Sequence, residues 1–260
     1  MRRKEKRRAT VVAWAAMLAV LGCAMAVTTP AGVSGASPAE QKADSPATGG
    51  RIVGVVNFRG EAPKFRPISM EKDPVCASEH EGPVLPEDGR VNANGTLPNA
   101  FIYIEKGTGD LSVPTPQNSE SLTQKNCMYE PHVMGIMVNQ PLQVVTLDPT
   151  THNIHFTPKI NRDWDVSQEP GSPSVIHTFS KPEVMIPVHC NVHPWMKAYL
   201  GVVTNPYYAV TGDEGKFQID GVPPGEYTLA GWTATFGAQQ RRATVRAGET
   251  TTVDFTFSSQ

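Results

Sequence analysis

The chain has little charge and few cysteines: 18% of its 260 residues are Asp, Glu, Lys or Arg, and there are four cysteines. Several catalytic motifs are missing as well. No His-x-x-Glu zinc motif occurs, which argues against zinc-dependent hydrolysis. The pattern Cys76-x-x-x-His80 is not the Cys-x-x-Cys-His of haem attachment. Repeated His-x-His motifs, which a trinuclear copper cluster needs, are absent: His152 and His155 are separated by two residues, and His189-Cys190 is followed by Asn191 rather than a third donor. Oxidase chemistry is therefore not expected, and the chain is not read as an enzyme. What is abundant is glycine, at 22 residues, and proline, at 23. With the low charge they favour a β-rich protein, long enough for one large or two small domains and a real core.

The N-terminus, Met1-Arg2-Arg3-Lys4-Glu5-Lys6-Arg7-Arg8, runs into an apolar stretch from Ala9 to about Val27. That is the layout of a secretory signal, so residues 1–26 are expected to direct export across a bacterial membrane. Two cleavage readings stay open. Val20-Leu21-Gly22-Cys23 is similar to a lipobox, which would place a lipid anchor on Cys23, while Ala24-Met25-Ala26 is an Ala-x-Ala site for ordinary signal peptidase. Arg7-Arg8 reads as part of the basic region rather than as a twin-arginine signal. Without the first eight residues, 17 bases remain against 24 acids, a net charge near −7 that makes a nucleic-acid partner a poor fit. Residues 27–49, rich in Pro, Ala, Ser, Thr and Gly, read as a flexible tether.

Chemistry concentrates in two runs, Thr151-His152-Asn153-Ile154-His155-Phe156 and His189-Cys190-Asn191-Val192-His193-Pro194-Trp195-Met196. One thiolate, two imidazoles and a thioether make the soft donor set of a trigonal His₂Cys copper site with a weak axial Met. A Cys-x-x-His-x-x-Met loop can wrap three donors around one ion while the fourth arrives from another strand. Asn153, directly after the first His, is placed to steady the cysteine sulfur. Cysteine usage agrees: with Cys23 in the signal, Cys76, Cys127 and Cys190 remain. In an oxidising compartment the simplest solution is a Cys76–Cys127 disulfide with Cys190 kept as a metal thiolate, the alternative being two buried free thiols.

Cys190-Asn191-Val192-His193-Pro194-Trp195-Met196 resembles the ligand loop of the amicyanin branch of the cupredoxins, and residues 117 to 204 follow the cupredoxin order of strands and ligand loop. The resemblance implies one type 1 copper held by His152, Cys190, His193 and Met196, with Asn153 supporting the thiolate. His155 and His189 are not carried over as ligands, and His132 and His177 read as ordinary core or surface histidines. It further implies an exported blue copper protein passing single electrons to or from a cytochrome, a dehydrogenase or another redox protein. Trp195 is expected either to pack in the core or to border an apolar patch around His193, through which a partner approaches the imidazole. By the same resemblance, His193 could take a proton on reduction. Two other function classes stand beside this one: copper buffering or delivery, and a surface interaction module with an accessory copper site.

The segment from Gly215 to Leu229 alternates as strands broken by Val222-Pro223-Pro224-Gly225. It resembles the carboxypeptidase regulatory-like, transthyretin-type β-sandwich. Val253, Phe255 and Phe257 share one face of a last strand. About fifty residues are short for that sandwich, and Gly50 to Val56 with Leu97 to Ile104 look like its first half. The fold expected is therefore all-β: a cupredoxin Greek-key β-sandwich, residues 111–204, inserted in or joined to a regulatory-like sandwich made of residues 50–110 and 205–260. Insertion at a surface loop is tolerated where chain ends lie close together. A tandem arrangement is the alternative. Glu71 to Asp88, acidic and Pro-containing, reads as a solvated loop.

Overall fold

The computed structural model describes residues 49–109 and 111–259; the expected signal and nearly all of the tether lie outside the described residues. Strands dominate, as the composition implies. The first part holds β1 (Gly50–Arg59), a five-residue helix α1 (Pro74–Ser78) and β2 (Phe101–Lys106). Nine strands follow: β3 (Glu120–Lys125), β4 (Met128–Glu130), β5 (Val133–Met137), β6 (Leu142–Thr146), β7 (His152–Phe156), β8 (Trp164–Gln168), β9 (Val175–His177), β10 (Glu183–His189) and β11 (Lys197–Val203). The last six are β12 (Tyr208–Val210), β13 (Lys216–Val222), β14 (Gly225–Thr233), β15 (Gly237–Val245), β16 (Thr250–Thr252) and β17 (Phe255–Ser258).

β1 pairs antiparallel with β13 and parallel with β16 and β17, while β2 lies between β12 and β14, with β15 outside β14. Two strands from near residue 50 and residue 100 thus complete two sheets whose other strands all follow residue 207. Alternation fills the space between these sheets: Phe217 and Ile219, Phe255 and Phe257, and Ile52 and Val56 all point inward. The intervening strands build a second pair of sheets, β5-β11-β10-β7-β8 and β4-β3-β6-β9. Leu122, Ile136, Leu142, Ile154, Phe156 and Leu200 are among the buried side chains of their core.

The run Phe101-Ile102-Tyr103-Ile104 is apolar at every position because β2 is covered on both faces. Ile102 and Ile104 belong to the first core, whereas Phe101 packs with Val133, Met185 and Val203 and is flanked by Tyr103, Tyr208 and Trp232. The backbone of β5 and β11 comes close to those rings. A Cβ placed on Gly201 would sit 2.5 Å from Phe101 Cζ, and one on Gly135 would sit 2.5 Å from Tyr208 Cε2. Gly201→Ala is therefore expected to destabilise the fold by about 1–3 kcal/mol through overpacking, seen as a lower denaturant midpoint with an unchanged slope.

The stretch between β1 and β2 departs from the expectation of a solvated loop. Ile68, Met70, Cys76 and Val84 pack against the core of the second pair of sheets, and Cys76 and Cys127 form a disulfide with Cα atoms 5.5 Å apart. This strap has no hydrophobic period, because its few apolar residues are spaced to meet an existing surface rather than one another.

Candidate metal centre

His152 opens β7 and is fully buried. Its Nε2 lies 2.7 Å from Asp148 Oδ2, and its Nδ1 lies 3.0 Å from Nδ1 of His193. A carboxylate only accepts, so Nε2 donates to Asp148 and Nδ1 is the nitrogen that faces the cavity. Asp148 is held in turn by the amides of Asn126 at 2.6 Å and Cys127 at 2.8 Å. Both residues have positive φ, 53° and 51°, which lets successive N–H groups converge on one carboxylate. Burial raises the Asp148 pKa, but the bonds from His152 and the Cys127 amide outweigh it and hold the carboxyl below its ordinary value.

Cys190, the free cysteine among the described residues, follows β10 and is buried. Its sulfur accepts from the backbone amides of Asn153 at 3.4 Å and His193 at 3.3 Å. Burial raises the thiol pKa; the bonds to His152 and to these amides win and bring it down to about 7. The loop closes on itself, Met196 N–H donating to His193 O at 3.0 Å and Cys190 N–H to Met196 O at 3.3 Å. Asn153 supports the sulfur through its main chain. Its side chain instead ties neighbouring segments together, accepting from the Asn191 amide at 3.2 Å and donating to Asp165 and to Val166 O.

His193 is 2% exposed, with Nδ1 3.9 Å from Cys190 Sγ and Nε2 2.8 Å from Asp73 Oδ2. Asp73 caps α1, accepting from the amides of Val75 at 3.0 Å and Cys76 at 3.1 Å. The Cys76 amide and His193 lower its pKa. The same argument applies: Nε2 donates to Asp73, and Nδ1 faces the cavity. Trp195 sits 5.0 Å from the His193 ring and donates Nε1–H to Cys127 O at 3.1 Å. Asp73 and Cys76 of the strap lie against the Nε2 edge of this buried ring, while Val192 and Pro194 beside it in the loop are exposed.

Donor atoms of His152, Cys190 and His193 all lie within 4.8 Å of one another, and each residue is buried. Metal bonds of about 2.0 Å to nitrogen and 2.3 Å to sulfur are compatible with the observed separations. Met196, also fully buried, belongs to the same core as Cys190. The donor set, with buried Asp148 and half-buried Asp73 behind its imidazoles, fits a bound copper ion.

His155 and His189 lie outside this cluster. They face each other across β7 and β10 with ring centroids 4.6 Å apart, and His155 Nε2 contacts Asp163 at 3.1 Å. His177 stacks on Trp164 at 4.2 Å. His132 is buried and anchors the strap: Nε2 meets Asp88 Oδ1 at 2.9 Å and Nδ1 meets Lys197 O at 3.0 Å, and Tyr199 Oη also donates to Asp88. Burial lowers the His132 pKa, yet the Asp88 bond and the charges of Glu87 and Asp88 outweigh it and raise it. With its folded value above its unfolded one, His132 contributes stability that is complete below about pH 6.5 and fades as pH rises through the folded pKa. His132→Gln is expected to cost about 1.5–3 kcal/mol at pH 6, and the gap to the parent protein should narrow in urea melts at alkaline pH.

Asp73 and Asp148 were absent from the ligand pattern. Asp148 is detectable only as an acid four residues before His152; Asp73 leaves no signal beyond an Asp-Pro helix start.

Residues 200–258 match the carboxypeptidase regulatory-like domain family. No curated protein matches the chain. Among solved structures, a Cu-containing nitrite reductase from Thermus scotoductus SA-01 is similar, at 18% identity and TM-score 0.31 over 36% of this chain. The match spans 24% of that enzyme's length. A mutant amicyanin in its Cu(I) form is similar at 16% identity and TM-score 0.29, covering 40% of this chain and 98% of that one. An oxidised amicyanin mutant gives 17% identity and the same TM-score and coverage.

Proposed function

We propose that the protein is an exported type 1 copper protein that carries single electrons between redox partners, with His152, Cys190, His193 and Met196 as ligands and no catalysis of its own. The observation that carries this reading is the convergence of two imidazoles and a thiol in one buried cavity, each imidazole backed by a carboxylate on its far nitrogen. When bound there, copper supplies a Cu(II)/Cu(I) couple. Asp148 and Asp73 hold the rings in one tautomer and orientation, and the amides of Asn153 and His193 hold the sulfur, so few protein atoms need move when charge changes. Enclosure of the donors, all at 3% exposure or less, supports a resident ion over one handed on, and so a carrier over a delivery protein.

Reconstitution with Cu(II) is expected to give an intense blue or green colour from sulfur-to-copper charge transfer. Reduction and reoxidation by small inorganic complexes should be much faster than loss of copper to a chelator. A colourless copper-loaded protein contradicts the assignment, and rapid copper loss with slow redox cycling favours delivery.

A further inference from the structure

We propose that Cys76 and Cys127, once their disulfide is reduced, form a second metal site, selective for Cu(I), directly behind the first. The disulfide does more than hold the strap. Cys76 Sγ lies 3.7 Å from His193 Nε2, and donor atoms of Asp73, Cys76 and His193 fall within 4.8 Å of one another. Cys127 forms a second such group with Asp148 and His152. One sulfur therefore sits against the outer edge of His193, and the other lies within 4.8 Å of a ring nitrogen of His152. A staple that served only to fasten the strap could cross anywhere along it; this one crosses at the ligand rings.

Reduction takes two electrons and two protons from an external dithiol, which leaves as its own disulfide, and yields two sulfhydryls. Cu(I) then displaces both protons as it binds two thiolates, the ligand type that selects this ion. Opening the bond does not cut the strap loose. His132 and Tyr199 still hold Asp88, and His80 Nε2 still meets Asn126 O at 2.8 Å. The thiols thus stay side by side, and Asp73 and Asp148 remain beside them. An ion held there lies one imidazole away from Cys190, which suits a loading position for the first site.

The test is anaerobic Cu(I) titration of the full chain against a chromogenic chelator, before and after reduction by a phosphine that is then removed. The expected stoichiometry is one ion per oxidised chain and two per reduced chain. Cys76→Ser/Cys127→Ser should bind one in either state. Cys190→Ser should keep the reduction-dependent ion, which separates failure of this site from failure of the electron-carrier reading. Circular dichroism follows the fold throughout. A reduced chain that stays folded and binds one ion overturns the proposal, as does a double variant that binds two, or loss of the folded spectrum on reduction with Cu(I) present.

Discussion

Replacing Cys190 with serine is expected to erase the visible absorption of the copper-loaded protein and to weaken copper binding by at least about 100-fold, since removing groups that merely orient a ligand already costs 10–100-fold. The change is nearly isosteric. The Asn153 and His193 amides that now donate to sulfur can donate to the hydroxyl, so the fold should persist and the loss can be assigned to the donor. Absorption spectroscopy and competition with a copper chelator measure the two effects. Alanine at His155 or His189 is the matched control: both lie outside the donor cluster and are expected to leave the colour intact. Colour that survived serine at 190, or vanished with alanine at 155, would move the metal elsewhere.

The largest stability effect is expected at Asp148. Its carboxylate accepts from the Asn126 amide, the Cys127 amide and His152 Nε2, at 2.6, 2.8 and 2.7 Å, and it is itself buried. Asp148→Ala leaves all three donors unpaired, two of them buried, a loss of about 3–5 kcal/mol by analogy with broken buried charge pairs. For a folded unit of this size that lowers Tm by roughly 10 °C. Asp148→Asn keeps a carbonyl acceptor and should lose less. Calorimetry of the metal-free variants checks the order. If alanine and asparagine cost the same small amount, the carboxylate is not the keystone of this turn.

The candidate site was legible where chemistry depends on short spacing. Cys190, His193 and Met196 fall on one loop, whose residue types and spacing mark them as candidate donors, and His152 begins the strand that brings it to them. The first pair of sheets was legible because its strands alternate and its turns use Pro and Gly; β13 shows both, and β17 the alternation. What the sequence does not display depends on distance along the chain. Asp73 meets His193 across 120 residues, and an acid at a helix start is expected at the surface whether or not a ring waits beneath it. The strap escaped for a related reason: Ile68, Met70 and Val84 follow no period of 2 or 3.6, since they fit a surface already made by other strands. At Asn153 the backbone amide, not the side chain, reaches the sulfur.

The strap also limits how the candidate metal centre can be borrowed. A fragment spanning residues 111–204 would carry His152, Cys190, His193 and Met196 yet leave behind Asp73 and Cys76. It would expose an unpaired Cys127 and a bare His193 edge. The pocket is thus not a portable cassette: anyone grafting it onto another scaffold must transplant residues 61–90 as well.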